Sequence, residues 1–128
     1  ALIKKIYLAS KKKRNKIVKL WGTGKTLREV LYVDEVANAC EFFLRKKIKK
    51  SLINIGSSTE MRIKDYADLI KKNIDPDVIV KFDNNKKLDG VKRKKLNVTL
   101  ANQYGWKSKM NFSKVLKKII NDFRNLHN

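Results

Sequence analysis

Few side chains in this sequence have the chemistry of a nucleophile, an acid-base group or a metal ligand. Cys40 is the single cysteine and His127 the single histidine. A reactive thiolate needs a neighbouring cation or base, and a metal needs several donors at ligand spacing. No such cluster exists, so no metal site is expected and neither residue is assigned a catalytic role. Cys40 falls at a helical position that reads as core, where a thiol is inert, and His127 lies in the tail. The remaining chemistry is that of binding. Trp21-Gly22-Thr23-Gly24 joins a flat aromatic face to two glycines, which reach backbone conformations closed to other residues. The stretch 83–95 is polar, charged and broken by Gly90, making it the longest candidate for a ligand-contacting loop. Lys and Arg number 32 against 12 acids, a net charge of +20 over 128 residues. Such a field concentrates polyanions of any kind, including RNA, phosphorylated metabolites and anionic lipid.

The basic residues fall in short runs, Lys11 to Arg14, Arg45 to Lys50 and Lys92 to Lys95, and most are lysines. They read as solvated helix faces. A nucleic-acid footprint is the competing reading, with Trp21, Tyr32 and Trp106 as stacking surfaces, although no RNA-binding signature accompanies it. Charges interrupt every apolar stretch well short of the roughly 20 residues that span a bilayer, so no membrane partner is expected. Ala1 to Leu8 alternates apolar pairs with lysines, unlike a signal peptide. One cysteine forms no internal disulfide, and a reduced, cytoplasmic setting is the expectation.

The elements that position these residues follow from periodicity. Leu2, Ile3, Ile6, Tyr7 and Ala9 recur at helical spacing, which reads as an entry in mid-fold, so upstream sequence is expected. Ile17, Val18 and Leu20 make a short strand that delivers the tryptophan loop. Val30 to Val33 reads as a buried strand, Asp34 as a helix N-cap, and the helix runs to about Lys47 with Val36, Ala37, Cys40, Phe43 and Leu44 inward. Leu52 to Ile55 is a further strand, closed by Gly56 to Thr59. Ile63, Ala67, Leu69 and Ile70 face a helix inward, which ends at Asp75-Pro76, and Val78 to Phe82 is a strand. Leu96 to Tyr104 is a short helix stopped by Gly105, and Phe112 to Phe123 a strong amphipathic one capped near Asn111 or Ser113. One domain over 1–128 is the natural expectation for this length. The fold class is α/β, helices with short strands, too few for a complete doubly wound sheet.

The run Leu20 to Asp34 (LWGTGKTLREVLYVD) closely resembles a segment of the GDP-L-fucose synthases, which are extended short-chain dehydrogenase/reductases. Four further pieces follow in that family's order: Val36 to Cys40, Ile53 to Ser57, Lys87 to Lys94 (KLDGVKRK), and Tyr104 to Lys107. The opening Ala1 to Lys5 is similar to the helix that follows the family's catalytic histidine. The strand-Asp-helix and Asn-Ile-Gly-Ser pieces are common to many sugar epimerases and dehydratases. The Trp-Gly-Thr-Gly loop, its Arg-Glu pair and the later Asp-Gly are narrower.

The resemblance implies that residues 1–128 are a C-terminal substrate-binding domain of the NAD-dependent epimerase/dehydratase type, with the Rossmann half absent. Family members epimerise GDP-4-keto-6-deoxy-D-mannose at carbons three and five and reduce it with NADPH to GDP-L-fucose, commonly as homodimers. The glycine-rich NADP turn, the Ser/Tyr/Lys set and the Cys/His acid-base pair lie upstream there, so NADP would be bound by the missing domain and this chain alone would be inactive. Its task would be to grip a GDP-sugar, with no nucleic acid as partner. Lys5, Trp21, Arg28 and Asp89 match the family's substrate contacts: a phosphate counter-charge, an aromatic wall, a forked diphosphate ligand, and an acceptor for sugar or base. Each has a plain alternative: a solvated helix lysine, a core aromatic, an arginine paired with Glu29 or Asp34, and a turn residue. Arg93 is a further phosphate candidate. Another nucleoside-diphosphate sugar would also suit the superfamily. Thr26, Leu88 and Lys92 stand where the family commonly has proline, which puts the loop geometry in question.

Overall fold

In the computed structural model, residues 2–127 are described; Ala1, which begins the opening run, lies outside them. The apolar stripe at the start forms helix α1 (Leu2–Ser10), with Ile6, Tyr7 and Ala9 buried. After a basic turn in which Asn15 takes φ 53, strand β1 (Ile17–Leu20) begins. It is followed by β2 (Leu27–Glu29), α2 (Val33–Leu44), β3 (Glu60–Arg62), α3 (Ile63–Ile74) and β4 (Ile79–Phe82). A short 3-10 turn at Lys86–Leu88 leads to β5 (Arg93–Lys94), α4 (Thr99–Gln103) and α5 (Phe112–Asn125).

Two small sheets result. β1 pairs parallel with β4, Ile17 opposite Ile79 and Leu20 opposite Phe82. β2 is the centre of a three-stranded sheet, antiparallel to β3 and parallel to β5. The main core gathers Ile6, Val18, Ala67, Ile70, Val78, Leu116 and Ile120 from α1, β1, α3 and α5 and from the residue preceding β4. Burying one such aliphatic side chain contributes about 1.5–3 kcal/mol, so these few residues supply most of the driving force. A second cluster joins Ala39 of α2 to Ala101 of α4 and Trp106, with Phe42, Phe43, Ile53 and Ile55 packed around it. The mixed helix and short-strand architecture is the α/β class that periodicity implies.

Several local expectations give way. The strand expected at Val30 to Val33 lies earlier, at Leu27–Glu29, because pairing with β3 and β5 ends there. α2 starts at Val33, and Tyr32, not Asp34, is the N-cap, with no side-chain cap bond. Asp34 and Glu35 instead sit in the first turn, where carboxylates complement the helix dipole. α2 ends at Leu44 rather than near Lys47. Of the expected inward face only Phe43 packs inward, joined by Ala39 and Phe42 against Trp106 and α4, whereas Val36, Ala37, Cys40 and Leu44 are exposed. The hydrogen bond from Trp106 Nε1 to Asn38 Oδ1 at 3.1 Å fixes that rotation. Cys40 is therefore a surface thiol, not a core one. Leu52 to Ile55 is extended but belongs to no strand, since no neighbouring strand among the described residues pairs with it. α1, β1, α3, β4, α4 and α5 stand close to where periodicity places them, and Asn111 caps α5 by accepting from Lys114 N at 3.1 Å.

Candidate functional site

The loop Trp21 to Gly24 is built by its backbone. β1 ends at Leu20, and the chain turns through Gly22 at φ 77 and Gly24 at φ 71, a left-handed conformation that costs other residues about 1–2 kcal/mol. Neither position has room for a Cβ: at Gly22 it would lie 2.4 Å from Asp89 Oδ1, and at Gly24 2.6 Å from the Phe82 ring. Gly22 N donates to Asp83 Oδ1 at 2.8 Å, and Asn84 N returns a bond to Gly22 O at 3.1 Å. Thr23 donates twice to Asp89, N to Oδ1 at 2.6 Å and Oγ1 to Oδ2 at 2.7 Å. Lys64 N, at the start of α3, donates to Gly24 O at 2.9 Å. The tryptophan loop is thus sewn to 83–89 and to α3.

Trp21 is 76% exposed, so it is a free aromatic wall and not a core residue. Lys5, one turn into α1, holds its ammonium 5.3 Å from the Trp21 ring centroid, a cation–π geometry that leaves the charge beside the aromatic face. Arg28, in β2, pairs with neither Glu29 nor Asp34. Its guanidinium donates to Leu27 O at 2.7 Å and to Asp89 O at 3.3 Å, which leaves its other N–H donors for a ligand. The four residues therefore form two pairs, Lys5 with Trp21 and Arg28 with Asp89, joined through the one loop that carries Trp21 and Thr23. Both Asp89 carboxylate oxygens are engaged by Thr23, so this side chain acts as a clasp. The Thr23 hydroxyl, then the Thr23 amide, then the nearby Lys25 and Arg28 charges hold Asp89 below its usual pKa.

Beside the clasp opens a cleft of about 520 Å³ lined by Thr23, Lys25, Lys86, Asp89, Lys92 and Arg93. Arg93 forms a forked ion pair with Glu60, Nε lying 2.7 Å from Oε2, so its charge is already matched. Lys25, Lys86 and Lys92 bring unpaired positive charge to the cleft, which suits phosphoryl oxygens. The positions at which the resemblance leads one to expect proline are held by other means. Thr26 is 7% exposed and its carbonyl accepts from Ile63 N at 3.0 Å. Leu88 donates its own N–H to Asn85 O at 3.1 Å, a bond that proline lacks.

Two residues have roles that the sequence did not assign: Asp83, expected only as the start of a polar loop, and Glu29, expected only as a partner of Arg28. Glu29 Oε1 accepts from Ser58 N at 2.6 Å and Oε2 from Leu96 N at 2.9 Å, tying β2 to two otherwise irregular segments. The sequence signal was faint, an acid in a short strand of a lysine-rich chain. Of the three stacking candidates, Trp106 is buried at 3% exposure and Tyr32 is half-buried with Lys118 over its ring. Only Trp21 presents its face, which removes the repeated aromatic platform that single-stranded nucleic acid would require. His127 stacks on Phe123 with ring centroids 4.0 Å apart. No group of metal-ligating side chains occurs among the described residues.

Residues 1–56 match the NAD dependent epimerase/dehydratase family. A probable GDP-L-fucose synthase 1 of Oryza sativa subsp. japonica is 34% identical over 110 residues, 86% of this chain and 33% of that protein. The chain belongs to the extended short-chain dehydrogenase/reductase family. It corresponds to the C-terminal portion of such an enzyme and spans about a third of the length of the rice relative. An Arabidopsis thaliana trifunctional UDP-glucose 4,6-dehydratase/UDP-4-keto-6-deoxy-D-glucose 3,5-epimerase/UDP-4-keto-L-rhamnose-reductase is 33% identical over 114 residues, 82% of this chain and 16% of that one. The fold matches a crystal structure of a GDP-L-fucose synthetase from Naegleria fowleri with a TM-score of 0.87, at 22% identity, covering 98% of this chain and 38% of that one.

As a short-chain dehydrogenase/reductase portion, the chain is related to enzymes that use a nicotinamide dinucleotide. Its own described residues do not fit that cofactor. A dinucleotide cradle needs a glycine-rich turn running from a strand into a helix N-terminus. Here the glycine turn after β1 leads into another strand, β2, and its amides are taken by Asp83 and Asp89.

Proposed function

We propose that this chain is the nucleotide-sugar-binding part of a GDP-L-fucose synthase, an NADP-dependent enzyme that epimerises GDP-4-keto-6-deoxy-D-mannose at carbons three and five and reduces carbon four. The observation that carries the reading is the union of the Lys5–Trp21 and Arg28–Asp89 pairs on one glycine-hinged loop. In this reading Trp21 supplies the apolar wall, Lys5 a point charge, and Arg28 a fork for two diphosphate oxygens. Asp89 acts by holding the loop, with its exposed edge facing the cationic cleft. NADP and the reacting groups belong to the remainder of the enzyme, so the chain alone is inactive. The whole protein is proposed as a cytoplasmic homodimer.

Calorimetry with GDP, UDP and dTDP tests the assignment. GDP should bind best, and Arg28→Ala should weaken it by about 1–3 kcal/mol, the worth of hydrogen bonds to a charged partner. An unchanged affinity would remove Arg28 from the site. A second reading, another nucleoside-diphosphate sugar, is favoured by the 33% identity to the Arabidopsis enzyme named for UDP-sugars. A preference for UDP would select it.

A further inference from the structure

Three clefts lie in series across the sheet of β3, β2 and β5, and each shares a lining residue with the next. The first, about 400 Å³, is lined by Lys25, Arg62 and Lys64, with Asp68. The cleft beside the clasp carries Lys25 again, with Lys86, Lys92 and Arg93. The third, about 560 Å³, takes Arg93 again and adds Lys95. The strand register explains the line. Arg62 and Arg93 are the partners of Leu27 on its two sides, so the three side chains share one face. The two arginines therefore stand about 10 Å apart, across two strand spacings. Lys64 lies at the N-terminal end of β2, its N–H bonded to Gly24 O, and Lys95 follows β5 at the opposite end. The charge along this line is largely unmatched. Arg62 pairs with Asp65 and Arg93 with Glu60. Lys25, Lys64, Lys86, Lys92 and Lys95 are exposed and form no ion pair among the described residues. Asp68 and Asp89 are the acids among the lining residues, and Asp89 is already held by Thr23.

We propose that this line is a binding track for a linear chain of phosphoryl groups of the inorganic polyphosphate type. A chain with a charge on every unit meets each lysine in turn, and the row of like charges supplies the field that draws it in. An extended acidic peptide does so poorly, because alternate side chains point away from the surface on which it lies. The bases of a single-stranded nucleic acid would find no free ring to stack on: Phe82 is the only aromatic among the lining residues, and it packs on the main core. The inference does not depend on which sugar nucleotide the Arg28 site grips.

The full gene product, purified under native conditions, is titrated into fluorescently labelled long-chain polyphosphate, and anisotropy is read at several salt concentrations. Lys64 and Lys95 each line an outer cleft and not the middle one, so Lys64→Gln and Lys95→Gln report whether one chain occupies the whole line. Each should weaken binding about fivefold at roughly 0.1 M salt and lower the salt slope by about one, the counterion release lost with one phosphate contact. A Lys12→Gln/Lys13→Gln protein, altered at exposed residues of the turn after α1, loses the same charge as Lys64→Gln/Lys95→Gln and should keep its polyphosphate affinity. GDP affinity should be the same in all of these variants. The proposal is overturned by a protein that does not bind polyphosphate, by equal losses in the two double variants, or by sensitivity at one end of the line only. Tighter binding of an oligothymidylate of equal length, or loss of GDP affinity in Lys64→Gln or Lys95→Gln, also overturns it. GDP calorimetry on the unsubstituted protein reads the sugar-nucleotide site separately, so either inference fails without the other.

Discussion

Gly22 and Gly90 share a positive φ, 77 and 62, yet differ in what an added methyl group would meet. At Gly90 nothing lies within 4 Å, whereas at Gly22 a Cβ would stand 2.4 Å from Asp89 Oδ1. Alanine at either position bears the left-handed penalty of about 1–2 kcal/mol. For a chain of this length that lowers Tm by roughly 3–8 °C. Gly90→Ala should show that and no more, with the loop and its ligand affinity intact. Gly22→Ala must in addition push the Asp89 carboxylate off Thr23, parting the tryptophan loop from 83–89. Its Tm should fall further than that of Gly90→Ala, and GDP affinity should fall only in Gly22→Ala. Thermal melts and calorimetry on both variants form the test. Equal melting losses, or equal GDP affinity, would refute the view that the Asp89 clasp organises the site.

Ile120, 2% exposed at the centre of the main core, should cost about 2–5 kcal/mol as Ile120→Ala, read from denaturant midpoints. Glu29→Ala releases the Ser58 and Leu96 amides and should cost about 2 kcal/mol, with faster hydrogen exchange confined to residues 56–58 and 96. Acid should weaken the fold. Asp89 is lowered by Thr23, Glu60 by Arg93, Asp75 by Lys16 and Asp65 by Arg62, each below its ordinary carboxylate value. A lowered folded pKa stabilises fully above the unfolded value and loses that contribution as pH falls through the folded one. Tm should therefore be flat from neutral pH to about 5 and decline below about 4. Asp89→Asn should flatten part of that decline, and a Tm that rises on acidification would contradict these assignments.

The sequence by itself determined the helices α1, α3, α4 and α5, the strands β1 and β4, and the α/β class, because apolar periodicity and the glycine, proline and asparagine stops are local signals. The same signals misread α2. Val36, Ala37, Cys40 and Leu44 form as good a stripe as Ala39, Phe42 and Phe43, and only packing of Trp106 and α4 decided which side turns inward here. Strand identity at 27–33 and 52–55 was likewise decided by the fold, since an extended apolar run becomes a strand only where another strand pairs with it. At the candidate site the residue types of Lys5, Trp21, Arg28 and Asp89 were legible, and their pairing was not. That Arg28 turns to Asp89 instead of Glu29, and that Glu29 holds two distant backbone amides, depends on contacts across 29 to 67 residues, which no local pattern encodes.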